Sequence, residues 1–192
     1  MKLVFATSNQ NKANEIQSLI PDVIQILSLL DIQCNEEIPE TQPTIERNAS
    51  QKAFYVYEKY NKNCFADDTG LEVESLDGSP GVLSARYAGE SRDANQNMDK
   101  VLQELELKEN RKARFKTVIS LVINGNEMQF EGVVNGVILS EKRGESGFGY
   151  DPIFLPDGYD LSFAQMDLLT KNKISHRAKA VNKLVEYLRT IV

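Results

Sequence analysis

Residues 114–139 read RFKTVISLVINGNEMQFEGVVNGVIL. Two apolar runs, Arg114–Ile123 and Glu127–Leu139, flank Asn124-Gly125-Asn126. Asn and Gly tolerate the positive φ that a tight hairpin turn needs, so this pattern predicts a long β-hairpin. Toward the N-terminus the chain alternates short apolar runs with helical periodicity. Lys2–Ala6, Val23–Leu29 and Cys64–Ala66 read as strands, and another strand-like run follows Asp67-Asp68-Thr69-Gly70 to Leu76. Helices are predicted over about Lys12–Ile20 and over Ile45, Ala49, Ala53, Val56 and Tyr60, with Thr44 as a cap. Met98, Val101, Leu102 and Leu105 mark a further amphipathic helix, and Ala178, Val181, Leu184, Val185 and Leu188 mark the last one. Gly144–Pro156 reads as a Gly/aromatic loop. Strand–helix units combined with a hairpin predict an α/β fold with a mixed sheet and flanking helices.

The 192 residues suit one domain, taken as 1–192, without repeats or Pro/Gly linkers. Lacking any run of 18 apolar residues, the chain is expected to make no membrane span, and the start Met1-Lys2 does not lead into a secretory signal. Cys34 and Cys64 have neither metal spacing nor a disulfide framework, so a reduced, cytoplasmic protein is expected. The net charge of −6 argues against binding along a nucleic-acid backbone, which needs a basic face. A polyphosphate can still be held by a local cluster of cations, so the placement of single basic residues matters more than their number.

Four constellations carry possible chemistry. Thr7-Ser8-Asn9-Gln10-Asn11-Lys12 joins a strand to a helix, where free N–H groups, hydroxyls, amides and one ammonium can meet an anion. It lacks the glycines of a P-loop, and Asn9 as a plain helix cap is the structural alternative. The acidic set Glu36, Glu37, Glu40, Asp67 and Asp68 suits Mg²⁺, which takes a few carboxylates plus substrate oxygens and water. Neighbours on a strand point to opposite faces, so one of Asp67 and Asp68 faces a metal, and spacing leaves open which; a solvated turn is the alternative. Gly147-Phe148-Gly149-Tyr150-Asp151-Pro152 offers close backbone approach, two aromatic faces for a base and a hydrogen-bond acceptor, or else a tight loop over core aromatics. Lys171 precedes Ser175-His176-Arg177, in which Ser175 reads as an N-cap. Cations in a first helical turn oppose the helix dipole at roughly 0.3–1 kcal/mol each, a conflict that an anionic ligand at His176 and Arg177 would reverse; an ordinary surface histidine is the alternative.

In this order the pieces resemble the inosine triphosphate pyrophosphatase, or HAM1-like, family. The resemblance runs nearly end to end through Thr7-x-Asn9-x-x-Lys12, Ala66-Asp67-Asp68-Thr69-Gly70, Ser84-Ala85-Arg86-Tyr87, Gly147–Pro152 and Ser175-His176-Arg177. It implies an elongated fold of two lobes around a central cleft, a homodimer, and hydrolysis of ITP, dITP and XTP to monophosphate and pyrophosphate with Mg²⁺. It further implies that Thr7, Ser8, Asn9, Gln10, Asn11 and Lys12 hold the phosphates. Glu40 and Asp68 would bind Mg²⁺, with Asp68 also acting on the attacking water, and Thr69 would touch substrate. Phe148, Gly149, Tyr150, Asp151, Lys171, His176 and Arg177 would enclose and read the base. The rival readings are a phosphotransferase, a Maf-like pyrophosphatase for modified pyrimidine nucleotides, and a nucleotide sensor without turnover.

Overall fold

A computed structural model describes residues 1–9, 12, 16–17, 20 and 24–191. Strands β1 (Lys2–Phe5), β2 (Gln25–Leu27), β3 (Cys64–Val73), β4 (Lys112–Ile123), β5 (Asn126–Ile138) and β6 (Phe154–Pro156) form one sheet in the order β2-β1-β3-β4-β5-β6. β1 runs parallel to β2 and β3, with Lys2 opposite Gln25 and Val4 opposite Cys64. β6 is antiparallel to β5, with Gly136 opposite Pro156. The sheet is therefore mixed, as the hairpin and strand–helix units require. Asn124 (φ 51°) and Gly125 (φ 80°) close the hairpin as a two-residue turn, both in the left-handed region that Asn and Gly enter at least cost.

Four α-helices lie wholly within the described residues: α1 (Ile45–Tyr60), α2 (Ala94–Glu104), α3 (Leu168–Ile174) and α4 (His176–Ile191). Thr44 caps α1, its hydroxyl accepting from the Arg47 N–H at 3.2 Å, and Asn61 ends the helix at φ 48°. The helix predicted over Lys12–Ile20 falls largely outside the described residues; Lys12, Ile16 and Gln17 are helical.

Two expectations are corrected. Asp67-Asp68-Thr69-Gly70 does not separate two strands but lies within the single strand β3, ten residues long. The acids stay in the strand because cations meet them there, as shown below. The loop predicted over Gly144–Pro156 also ends in structure, with a 3₁₀ turn at Asp151–Ile153 and strand β6 after it.

The chain divides into two compact units. Unit 1 comprises Met1–Asp68, Thr117–Gly132 and Arg177–Val192; unit 2 comprises Thr69–Lys116 and Val133–His176. Unit 1 holds two apolar clusters. In one, Leu3, Phe5, Phe65, Ile119 and Leu121 pack with Val181, Leu184 and Leu188 of α4, with Phe5 and Phe65 stacked at 4.6 Å. In the other, Val4, Ala66 and Val122 pack with Ala53 and Val56 of α1 and with both cysteines. Cys64 donates its thiol to the Ala53 carbonyl, and burial pushes its pKa up to about 12. Unit 2 has its own core, in which Leu71, Val73, Phe115, Phe154 and Phe163 meet Met98 and Val101 of α2 and Leu105 just after it. Arg111 fastens this unit's strand ends by donating to the carbonyls of Leu105, Ile138 and Leu139 at 2.7–2.9 Å.

Candidate active site

Alternation along β3 sends the two aspartates to different partners. Asp67 Oδ2 lies 3.0 Å from Lys12 Nζ and 3.6 Å from Arg177 Nε, and its side chain is fully buried. Asp68 Oδ1 lies 3.4 Å from Lys52 Nζ, which is 2.5 Å from Glu40 Oε1. Lys12, Lys52 and Arg177 thus face Glu40, Asp67 and Asp68, three charges of each sign, all within unit 1.

Electrostatics push the adjacent carboxylates apart. Burial raises the pKa of Asp67, but the charges of Lys12, Arg177 and Lys52 outweigh it and hold the group at about 2. Burial also raises Asp68, and here Lys52 and Lys12 do not overcome it, so its pKa lies above the ordinary carboxylate value. For Glu40 burial is again outweighed, by Lys52, and the pKa falls. Lys52 is pushed down by burial and more strongly up by Asp68 and Glu40, so it stays protonated.

Asp68 Oδ2 is buried without a hydrogen-bond partner among the described residues. An unmatched carboxylate oxygen in a buried site is costly unless a cation or a proton donor reaches it. Glu40, whose side chain is 35% exposed, is close enough to share Lys52 with it. Among the described residues no group of three or more His, Cys, Asp and Glu side chains is placed to hold a metal. One or two carboxylates suffice for Mg²⁺ when phosphate oxygens and water complete its shell, so Glu40 and Asp68 fit that ion. Glu36 is engaged elsewhere: Tyr60 donates to it and Lys59 pairs with it at 2.9 Å, holding its pKa at about 2. Glu37 is exposed.

In the segment after β1, Asn9 Oδ1 accepts from the Lys12 N–H at 3.2 Å and the Asn9 N–H donates to Thr7 Oγ1 at 3.2 Å. Asn9 therefore caps the turn that carries Lys12. Ser8 is exposed. Gln10 and Asn11 lie outside the described residues.

Unit 2 gathers a second set. Lys171 Nζ, buried on α3, donates to Asp151 Oδ2 at 2.8 Å and lies 4.9 Å from the ring centre of Phe148. The same Asp151 oxygen accepts from the Phe148 N–H at 2.8 Å. Gly147 makes room for it: a Cβ there would fall 2.2 Å from Asp151 Oδ2, and φ is 78°. His176 stacks on Phe115 with ring centres 4.5 Å apart and planes 11° apart. Thr69 and Gly149 are half-buried in the same unit. Tyr150, read from sequence as a second stacking face, is instead packed in the core, its hydroxyl donating to the Ser84 carbonyl at 2.8 Å. A groove of about 680 Å³ in this unit, lined by Glu72, Arg114, Asn135 and Gly136, contains none of the site residues predicted from sequence.

Sequence reasoning missed Lys52. Its signal was present in α1, whose buried positions are Ile45, Asn48, Ala49, Lys52, Ala53 and Val56. Asn48 and Lys52 are the polar members of that apolar stripe, four residues apart, and a polar residue in such a stripe demands a partner.

A family model described as Ham1 family matches residues 3–187. The dITP/XTP pyrophosphatase of Flavobacterium psychrophilum is 58% identical over 98% of this chain and 100% of its own length. Among solved structures, the Ham1 protein of Staphylococcus aureus is 38% identical with a TM-score of 0.92, covering all of both chains. A HAM1 protein from Coxiella burnetii is 35% identical with a TM-score of 0.93, over 99% of each chain.

Proposed function

The chain belongs to the Ham1 family, and from that premise we propose that it hydrolyses non-standard purine nucleoside triphosphates (ITP, dITP and XTP) to monophosphate and pyrophosphate, with Mg²⁺. The observation that carries the reading is Asp68. It is a buried carboxylate with one oxygen on Lys52 and the other without a hydrogen-bond partner among the described residues, beside an array of cations.

Phosphoryl transfer asks a protein for charge neutralisation, positioning and an oriented nucleophile. Lys12 and the hydroxyls of Thr7 and Ser8 supply donors to phosphate oxygens. Glu40 and Asp68 would hold Mg²⁺, which when bound neutralises charge on those oxygens. Lys52 keeps the two carboxylates together in spite of their like charge. Asp68 is also the group to take a hydrogen bond from the attacking water and so orient it. Asp67 holds Lys12 and Arg177 in place from the other face of β3.

Base reading falls to Phe148 and Lys171, with Gly149, Asp151 and His176 around them and Thr69 as a substrate contact. A 6-oxo group, shared by hypoxanthine and xanthine, accepts from an ammonium such as Lys171; the 6-amino group of adenine leaves that donor unmatched, at a cost of about 1–3 kcal/mol. The proposal includes a homodimer in the cytoplasm, and among the described residues no helix is long and apolar enough to cross a membrane.

The test is pyrophosphate release from ITP, dITP and XTP beside ATP and GTP, each with Mg²⁺ and with chelator. Release from ITP at least tenfold above ATP, abolished by chelator, is the expected result. Equal turnover of ATP and ITP overturns the base reading, and turnover indifferent to chelator overturns the metal.

A further inference from the structure

Glu40 stands in a stretch without regular secondary structure, between Pro39 and Pro43. The prolines contribute no N–H, so few main-chain donors are available to fix this segment. The two that directly follow Glu40 are both taken by side chains of α1. The Thr41 N–H donates to Gln51 Oε1 at 2.9 Å, and the Gln42 N–H donates to Asn48 Oδ1 at 2.8 Å. Gln51 Nε2 returns to Thr41 Oγ1 at 2.9 Å, making a two-bond clamp. One residue further along the helix, Lys52 takes the Glu40 carboxylate itself. Helix α1 is capped at both ends, and Asn48 is 2% exposed on its apolar stripe. A buried amide there is tolerated because the loop satisfies its oxygen.

We propose that Asn48 and Gln51 are positioning residues for Glu40: they fix the main chain beside it so that its carboxylate and that of Asp68 reach one divalent cation. The proposal rests on the reading of Glu40 and Asp68 as Mg²⁺ ligands. Hard cations bind carboxylates within narrow distance limits, and the groups that orient a ligand govern affinity nearly as strongly as the ligand does. Neither residue touches substrate or metal; both act through Glu40.

The test compares the full-length protein with Gln51→Met, Asn48→Ala, Thr41→Ala and Glu40→Gln. Two readouts are taken: the Mg²⁺ concentration giving half-maximal pyrophosphate release from ITP, and Mn²⁺ binding followed by electron paramagnetic resonance without nucleotide. Gln51→Met keeps length and loses both bonds of the clamp. It is expected to raise the Mg²⁺ requirement and the Mn²⁺ dissociation constant about tenfold, while kcat at saturating Mg²⁺ falls much less. Asn48→Ala behaves alike, and Thr41→Ala, which keeps the N–H bond to Gln51, shifts both readouts least. A merely structural role would lower the melting temperature and leave the Mn²⁺ constant of the folded protein unmoved. If Glu40→Gln raises the Mg²⁺ requirement while Gln51→Met leaves both readouts at the wild-type value, the positioning role is overturned and the metal reading stands. An unchanged requirement in Glu40→Gln overturns both. Should Asn48→Ala not fold, Gln51→Met, at a half-exposed position, decides the matter by itself.

Discussion

His176 and Arg177 are consecutive, both buried, and both open α4, yet they enter different environments. Arg177 joins the ionic cluster of unit 1, where its Nε lies 3.6 Å from Asp67. His176 lies in unit 2 against the face of Phe115, near Phe163. The ionic cluster is interdependent, because its carboxylates face cations that are themselves held by carboxylates. Taking out one member strands another without compensation, which commonly costs several kcal/mol. The aromatic cluster depends on area and stacking, whose terms are smaller and graded, about 0.5–1.5 kcal/mol for a well-placed ring pair. Changes in the first cluster should therefore act steeply, and changes in the second gradually.

The sharpest way to break this contrast is Asp68→Asn. The change is nearly isosteric and removes the charge that faces Lys52 and the proposed cation. Pyrophosphate release from ITP should fall by about 10³-fold or more with the fold intact by circular dichroism, and retention of a tenth of the activity would contradict the assignment. Next comes Arg177→Gln. The helix dipole taken alone disfavours Arg177, so sequence reasoning predicts an empty protein no less stable without it. Burial against Asp67 reverses that expectation. Loss of the guanidinium leaves Asp67 with less compensation, and stability should fall by about 3 kcal/mol, read from urea unfolding. An unchanged midpoint would restore the ligand-facing view.

Acid titration sharpens the comparison further. Asp67 is held at about 2 in the folded protein against an ordinary 3.8, so its contribution to stability is complete above the unfolded value and disappears as pH falls from about 4 to about 2. That contribution is on the order of 2 kcal/mol, and Asp67→Asn should flatten the stability–pH curve across this window. A wild-type slope kept in the variant would place the acid sensitivity elsewhere. The smallest effect is expected in unit 2. Tyr150→Phe removes only the hydroxyl bond to Ser84, so stability should drop by about 1 kcal/mol while ITP kinetics stay near wild type. A large rise in KM would mean that the hydroxyl acts on substrate.

Local rules made parts of this molecule legible. Asn124-Gly125 announced the hairpin because few other residue pairs accept two positive φ values in a row. Thr44 and the stripe from Ile45 to Val56 announced α1 because capping and periodicity are properties of adjacent residues. The continuity of β3 was hidden, since Asp67-Asp68-Thr69-Gly70 has the composition of a turn and only distant partners (Lys12, Lys52 and Arg177) make a strand of it. Those partners come from three separate stretches of sequence, and no window contains them together. Asp68 was separated from Asp67 by family resemblance; in the fold they meet different cations, Asp67 facing Lys12 and Arg177 and Asp68 facing Lys52. Tyr150 could not be assigned to the core from its loop motif, because its carbonyl partner Ser84 lies 66 residues away.

Among the described residues, the ionic cluster at Asp67 and Asp68 holds as many cations as carboxylates, which bears on how a polyanion arrives. A balanced cluster on a protein of net charge −6 should project little attractive field into solution. A bare triphosphate should therefore approach by unsteered diffusion, and against a weak repulsion. Added salt screens that repulsion over a Debye length of about 10 Å at 0.1 M, so association should quicken slightly as ionic strength rises, opposite to the behaviour of enzymes that draw in their substrates with a basic funnel.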